Sequence, residues 1–162
     1  HLLGLWTLRF LILTLAISPL RELAGWNLLR YRRALGLLTF YYAAMHFTVY
    51  AVLDQALMVP AILADVVKRP FIMFGMAALL LLIPLAVTSN MASIRRLGKG
   101  WVRLHRLVYP VAALAALHYA LSTKVLSFEQ YIYLTLILAL LLYRAIRPIL
   151  RDRRRLTRPR RA

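Results

Sequence analysis

Five apolar stretches, at residues 2–20, 34–53, 70–88, 104–122 and 125–143, dominate this 162-residue chain. A helix needs about 20 predominantly apolar residues to cross the hydrocarbon core of a bilayer. Each stretch is close to that length, and none alternates apolar with polar residues as the strands of a membrane barrel do. The expected fold is therefore all-α, a polytopic bundle of transmembrane helices with five visible. Composition agrees: the chain is 62% hydrophobic, where soluble domains hold about 45–50% apolar residues. Its mean hydropathy is +0.70.

Charge is one-sided, with 22 Lys+Arg against 5 Asp+Glu. In a soluble protein that balance points to nucleic acid. Here the basic residues fall between the apolar stretches and at the C-terminus, so nucleic acid is excluded as a partner and the lipid bilayer takes its place. Arg21, Arg30, Arg32 and Arg33 follow the first stretch, and Arg95, Arg96, Lys99, Arg103 and Arg106 follow the third. The C-terminal end adds nine more arginines from Arg144 onward, so one side of the bundle holds 18 of the 22. By the positive-inside rule that side is cytoplasmic, the C-terminus is inside and His1 is outside. This is the topology of a multi-pass membrane protein. The chain begins at His1, and a further helix ahead of it, starting in the cytoplasm, would make six spans. The tail RDRRRLTRPRRA is too short and charged to fold and reads as a topology anchor. It divides the chain into a transmembrane domain at residues 1–147 and a basic cytoplasmic tail at 148–162. With no cysteine, thiolate metal sites and disulfides are excluded.

Three of the four histidines lie within or at the edge of the apolar stretches. At a rise of about 1.5 Å per residue, His46 lies roughly 20 Å beyond Arg33, and His118 roughly 18 Å beyond Arg106. Two histidines at matched depth on different helices are what the two axial positions of one haem require. The competing reading is an interhelical hydrogen bond or a proton path. His105 sits about 20 Å from His118, at the cytoplasmic boundary, and an ideal helix would turn the two apart. Pro110 between them can bend that geometry. His105 is a candidate ligand of a second, inner haem, for which residues 34–53 offer no partner, or a contact to a flavin, a quinone or a propionate. His1 reads as an outer-interface group.

Arg9, about two turns inside the first stretch, either snorkels to the headgroups or binds a haem propionate. Gly36, Ala43, Ala44, Gly75, Ala77 and Ala78 admit a flat ring system or close helix packing. Residues 54–69 form an outer connection with apolar residues and two acids that can lie along the interface as a short helix; it reads as an ordinary amphipathic loop rather than a docking surface. There is no G-x-G-x-x-G and no soluble α/β segment, so electrons must arrive from another molecule.

The blocks LLRYRRALGLLTFYYAAMHFTVY, KRPFIMFGMAALLLLIPLAVTS, RRLGKGWVRLHRLVYP and LHYALSTK resemble the MsrQ family. Its members are haem-binding membrane subunits of the protein-methionine-sulfoxide reductase MsrPQ system, within the ferric reductase-like transmembrane domains. The resemblance runs through nearly the whole chain. It implies haem ligation by His46, His105 and His118, one haem b or two, and an association with FMN. It also implies electron flow from the quinol pool or a cytosolic flavin reductase to a periplasmic molybdopterin subunit, the MsrP-like partner, which reduces methionine sulfoxide. The chain departs from the wider superfamily in carrying a single histidine on residues 34–53. On this reading the chain is the electron-transfer subunit of an oxidoreductase, without substrate chemistry of its own. The alternatives are a ferric or quinone reductase of the same architecture, and a non-redox transporter or assembly subunit.

Overall fold

The structure, a computed structural model, describes residues 2–156, with side chains to Pro148. His1 and the side chains of the tail arginines from Arg151 onward lie outside the described residues. The helices are α1 (Leu2–Leu23), α2 (Arg32–Val49), α3 (Val59–Lys68), α4 (Pro70–Val87), α5 (Met91–Leu97), α6 (Lys99–His105), α7 (Val108–Leu121) and α8 (Phe128–Leu156). No strand occurs among the described residues. A 3-10 turn at Leu29–Tyr31 and a π turn at Tyr50–Asp54 lengthen α2 at its two ends. Four helical segments are long and apolar enough to cross a membrane: α1, α2 with its end turns, α4, and α8 as far as Pro148. The chain is a multi-pass membrane protein with an all-α bundle.

Two expectations need correction. The stretch 104–122 is not one spanning helix: α6 ends at His105, and α7 is a separate helix of 14 residues. Pro110 explains the break. It has no N–H to give the carbonyl four residues back, at Arg106, and its ring would collide with that carbonyl. The chain instead turns at Arg106 and Leu107, and the Arg106 carbonyl accepts from the Tyr109 N–H at 3.1 Å. Pro110 thus falls in the first turn of a new helix, where a missing N–H costs nothing. The second correction concerns the C-terminal end. α8 runs on to Leu156, so the first part of the tail, expected to be too short and charged to fold, is helical. The helix continues through Pro148, which removes one hydrogen bond of its ladder, into a segment rich in Arg and Leu, both good helix formers.

The five long or apolar helices close into a ring in the order α1, α2, α4, α7, α8 and back to α1. Its core is built from Leu8, Leu11 and Leu15 of α1, Leu82 and Leu85 of α4, Val108, Val111 and Ala112 of α7, and Ile137 of α8. The positions in α1 are spaced three and four apart, one stripe of a 3.6-residue period. Leu13, Leu80 and Leu138 face outward, as helices with lipid on their far side allow. Polar pins hold the ring at both ends. Glu22 of α1 is ion-paired with Arg147 of α8 and accepts from the Tyr143 hydroxyl at 2.8 Å. At the other end the buried Gln130 donates to the Tyr119 carbonyl at 3.1 Å and accepts from the Ser127 N–H at 2.9 Å, seating the start of α8 on α7.

The outer connection contains the ten-residue helix α3, the short helix its amphipathic sequence allows. Asp65 fixes it, accepting from the Tyr50 hydroxyl and the Gln55 amide, each at 3.0 Å, and pairing with Arg69 at 3.1 Å. The turn into α3 puts Ala56 and Leu57 at positive φ, 47° and 60°. That conformation is unfavourable for side chains with a Cβ, so it persists only because the Asp65 hub and the two spans fix the chain on either side.

Candidate functional site

α2 and α7 each carry a histidine about one turn from their ends at the same level of the bundle. The rings of His46 and His118 lie 6.2 Å apart, centre to centre, with their planes 69° apart. His118 Nδ1 lies 2.6 Å from the Phe71 carbonyl oxygen, in the first turn of α4. A carbonyl only accepts, so Nδ1 donates this hydrogen bond, and in the neutral ring the lone pair is then on Nε2. This is the tautomer that a metal-ligating imidazole adopts when its second nitrogen donates to a backbone carbonyl. Phe71 also places its own ring 6.0 Å from that of His118.

The helix backbones come close because two glycines let them. A Cβ on Gly75 of α4 would stand 2.7 Å from His118 Nδ1 and 2.9 Å from its Cε1. Only a residue without Cβ lets the imidazole lie against that turn and reach the carbonyl of Phe71. On the other side, a Cβ on Gly4 of α1 would stand 3.3 Å from Cε1 and Nε2 of His46. Of the small residues noted in the sequence, Gly75 has this steric role. Gly36 faces open space.

The spacing of the pair can be compared with what an ion would require. A metal–imidazole bond is about 2 Å and the ring centre lies roughly 1 Å behind the nitrogen, so two imidazoles on opposite sides of one ion have centres about 6 Å apart. The observed separation matches. Among the described residues no group of three or more His, Cys, Asp or Glu could hold a metal ion. Two imidazoles provide only the axial positions, so the donor set suits an ion whose other ligands come from a macrocycle, as in haem.

His105 is not brought to this pair. It closes α6, while His118 lies ten residues into α7, about 15 Å of rise beyond Val108. Trp101 stacks on it with ring centres 3.8 Å apart, and His105 Nδ1 lies 3.1 Å from the Trp101 carbonyl. Trp101 is itself fixed by donating its indole N–H to the Thr88 carbonyl at 2.9 Å. His105 Nε2 is buried and makes no hydrogen bond of ordinary geometry, the Leu85 carbonyl being the backbone group that bears on the ring.

Arg9 lies at the seam between α1 and α8. Its Nε donates to the Tyr133 hydroxyl at 2.8 Å, Nη2 is 3.6 Å from Glu129, and Cζ lies 4.9 Å from the Trp6 ring centre. Five positions separate Arg9 from Gly4, about 140° around an ideal helix. It therefore leaves α1 on a different side from the one that meets His46.

The sequence reading missed Phe71, Gly4, Trp101, Tyr133 and Gln130. Phe71 acts through its carbonyl, which no side-chain pattern betrays, and Gly4 matters only because α1 packs on α2. Trp101 did carry a signal: it precedes His105 by four residues, one helical turn.

Residues 3–116 match the family described as ferric reductase like transmembrane component. The chain is 63% identical over 163 residues to the protein-methionine-sulfoxide reductase heme-binding subunit MsrQ of Rhizobium meliloti (strain 1021), covering 100% of this chain and 76% of that protein. It is 59% identical over 160 residues to the MsrQ of Brucella ovis, covering 99% of this chain and 73% of that one. No solved structure matches the chain.

Proposed function

The chain belongs to the ferric reductase like transmembrane family and, within it, to the MsrQ haem-binding subunits of protein-methionine-sulfoxide reductase, and from that premise we propose that it relays electrons across the bacterial inner membrane through haem b held by His46 and His118. The observation that carries this reading is the pair itself: two imidazoles at ligand spacing, with His118 Nδ1 committed to Phe71. Haem bound there supplies a one-electron iron couple, so the two-electron reduction of a sulfoxide draws on it twice. The chain's own residues hold that couple in a fixed geometry. His46 and His118 would hold the group in both oxidation states, so little would reorganise when an electron passes. The His118 N–H bond to Phe71 orients the ring and makes it a more basic ligand. No side chain has to move a proton or attack a substrate.

In this proposal the arginine-rich end is cytoplasmic. Electrons enter from the quinol pool or a cytosolic flavin reductase and leave toward a periplasmic molybdopterin subunit of the MsrP type. A second haem on His105 is a further reading, favoured by a buried Nε2 that makes no hydrogen bond of ordinary geometry.

Reoxidation kinetics test the relay. The chain in liposomes, reduced anaerobically, should be reoxidised when an MsrP-type subunit and a methionine sulfoxide peptide are supplied together, and by neither alone. Reoxidation by ferric citrate but not by that pair would favour the ferric reductase alternative and overturn the proposed acceptor.

A further inference from the structure

A cleft opens at the arginine-rich end of the ring, lined by Ser18 of α1, Arg32 of α2, Tyr109 of α7 and Arg144 of α8, with Leu15 and Leu140 as its apolar wall. Arg32 and Arg144 are half-buried, whereas Arg33, Arg95, Arg96 and Arg106 around them are exposed. Arg144 is held in place over Tyr109, its Cζ 5.1 Å from the ring centre. Three ion pairs occur among the described residues, and they use Arg9, Arg69 and Arg147 with Glu129, Asp65 and Glu22. Neither Arg32 nor Arg144 is paired in that set; the carboxylate beside the cleft, Glu22, is bonded to the hydroxyl of Tyr143, which also lines the cleft, and is paired with Arg147. Two guanidiniums drawn out of water into one cleft repel each other and lose hydration, a cost that an anion between them would remove.

We infer that this cleft binds the headgroup phosphate of an anionic phospholipid. Guanidinium forks match phosphate oxygens two at a time, and the Ser18 and Tyr109 hydroxyls add donors. The membrane supplies the source: the cleft lies where α1, α2 and α8 leave the bilayer, and Leu15 and Leu140 offer the ester carbons an apolar wall. Basic pockets between helices on the cytoplasmic side are where such headgroups bind. The site is separate from the histidine pair, since Arg32 and His46 are 14 residues apart on α2, about 21 Å.

The test is native mass spectrometry of the full chain, delipidated in neutral detergent and titrated with dioleoylphosphatidylglycerol or dioleoylphosphatidylcholine. One phosphatidylglycerol should be retained per chain, and little phosphatidylcholine. The double variant Arg32→Gln/Arg144→Gln should retain it roughly 30-fold less well, from the loss of two basic contacts. Arg33→Gln, beside Arg32 but exposed, should bind as the parent does. Circular dichroism reports the fold; if the double variant unfolds, Arg144→Lys keeps the charge, loses the fork, and should still bind several-fold more weakly. Equal retention by the parent and the folded variants, or equal retention of the two lipids, overturns the site. Displacement of the lipid by equimolar inorganic phosphate would make this a free-phosphate site and overturn the lipid source. Haem content falling in the double variant, with lipid retention unchanged, would assign the arginines to haem instead.

Discussion

Alanine at His118 or at His46 should each abolish the six-coordinate haem. On the proposed ligation each substitution removes one of two imidazoles whose ring centres are 6.2 Å apart, and among the described residues the remaining histidine, His105, closes a different helix. Loss of an outer-shell partner of a metal ligand already costs about 10–100-fold in affinity, so loss of the ligand itself should exceed that range. The helices around the site give no reason for unfolding: both residues lie in partly exposed positions, outside the Leu11, Val111 and Ile137 core. The measurement is haem per chain together with the reduced-minus-oxidised spectrum. The variants should fold by circular dichroism yet show little or no low-spin spectrum, and added imidazole should restore part of it. Retention of a full six-coordinate spectrum in either variant would exclude that residue as a ligand.

Gly75→Ala is the second large effect, and here two forces oppose each other. In a helix interior alanine is favoured over glycine by about 1 kcal/mol, so on propensity alone the change would strengthen α4. The new Cβ, however, would stand 2.7 Å from His118 Nδ1 and 2.9 Å from Cε1, closer than unbonded atoms rest. Either the imidazole swings away from Phe71 or α4 shifts from α7. Both outcomes disturb the orientation of the ligand, and haem affinity should fall about 10–100-fold, the range for loss of an outer-shell contact. Gly75→Val should do worse. Gly36→Ala provides the comparison, because a Cβ there meets nothing within 4 Å; it should bind haem like the parent and melt at the same or a slightly higher temperature. If Gly75→Ala binds haem as tightly as Gly36→Ala does, the close approach of His118 to α4 has no functional weight.

Much of this architecture is legible in the sequence because a bilayer imposes one length and one polarity on every span. The long apolar runs of α1, α2, α4 and α8 follow from that constraint, and so does the matched depth of His46 and His118, since both were measured from arginines at one boundary. What escaped the sequence depends on local backbone chemistry or on neighbours from other helices. In the sequence Pro110 reads as a bend between His105 and His118, but its missing N–H acts one turn earlier and divides the stretch at Arg106 and Leu107. The charge of the tail argues against folding, whereas α8 continues through Pro148 to Leu156. Arg9 was weighed against headgroups and propionates; its contacts to Tyr133 and Glu129 depend on α8 lying beside α1, which only the closed ring shows. The Phe71 carbonyl and Gly4 belong to the same class, since neither carries a chemical signature until the helices are packed.

The central claim is that His46 and His118 are the two axial ligands of one haem. Low-temperature electron paramagnetic resonance of the oxidised protein, with near-infrared magnetic circular dichroism on the same sample, tests it most directly. The account predicts a low-spin signal with the charge-transfer band of bis-imidazole ligation, lost in both His46→Ala and His118→Ala. A high-spin signal in the parent protein, a band reporting histidine–methionine ligation, or a bis-imidazole signal that survives either substitution would contradict it.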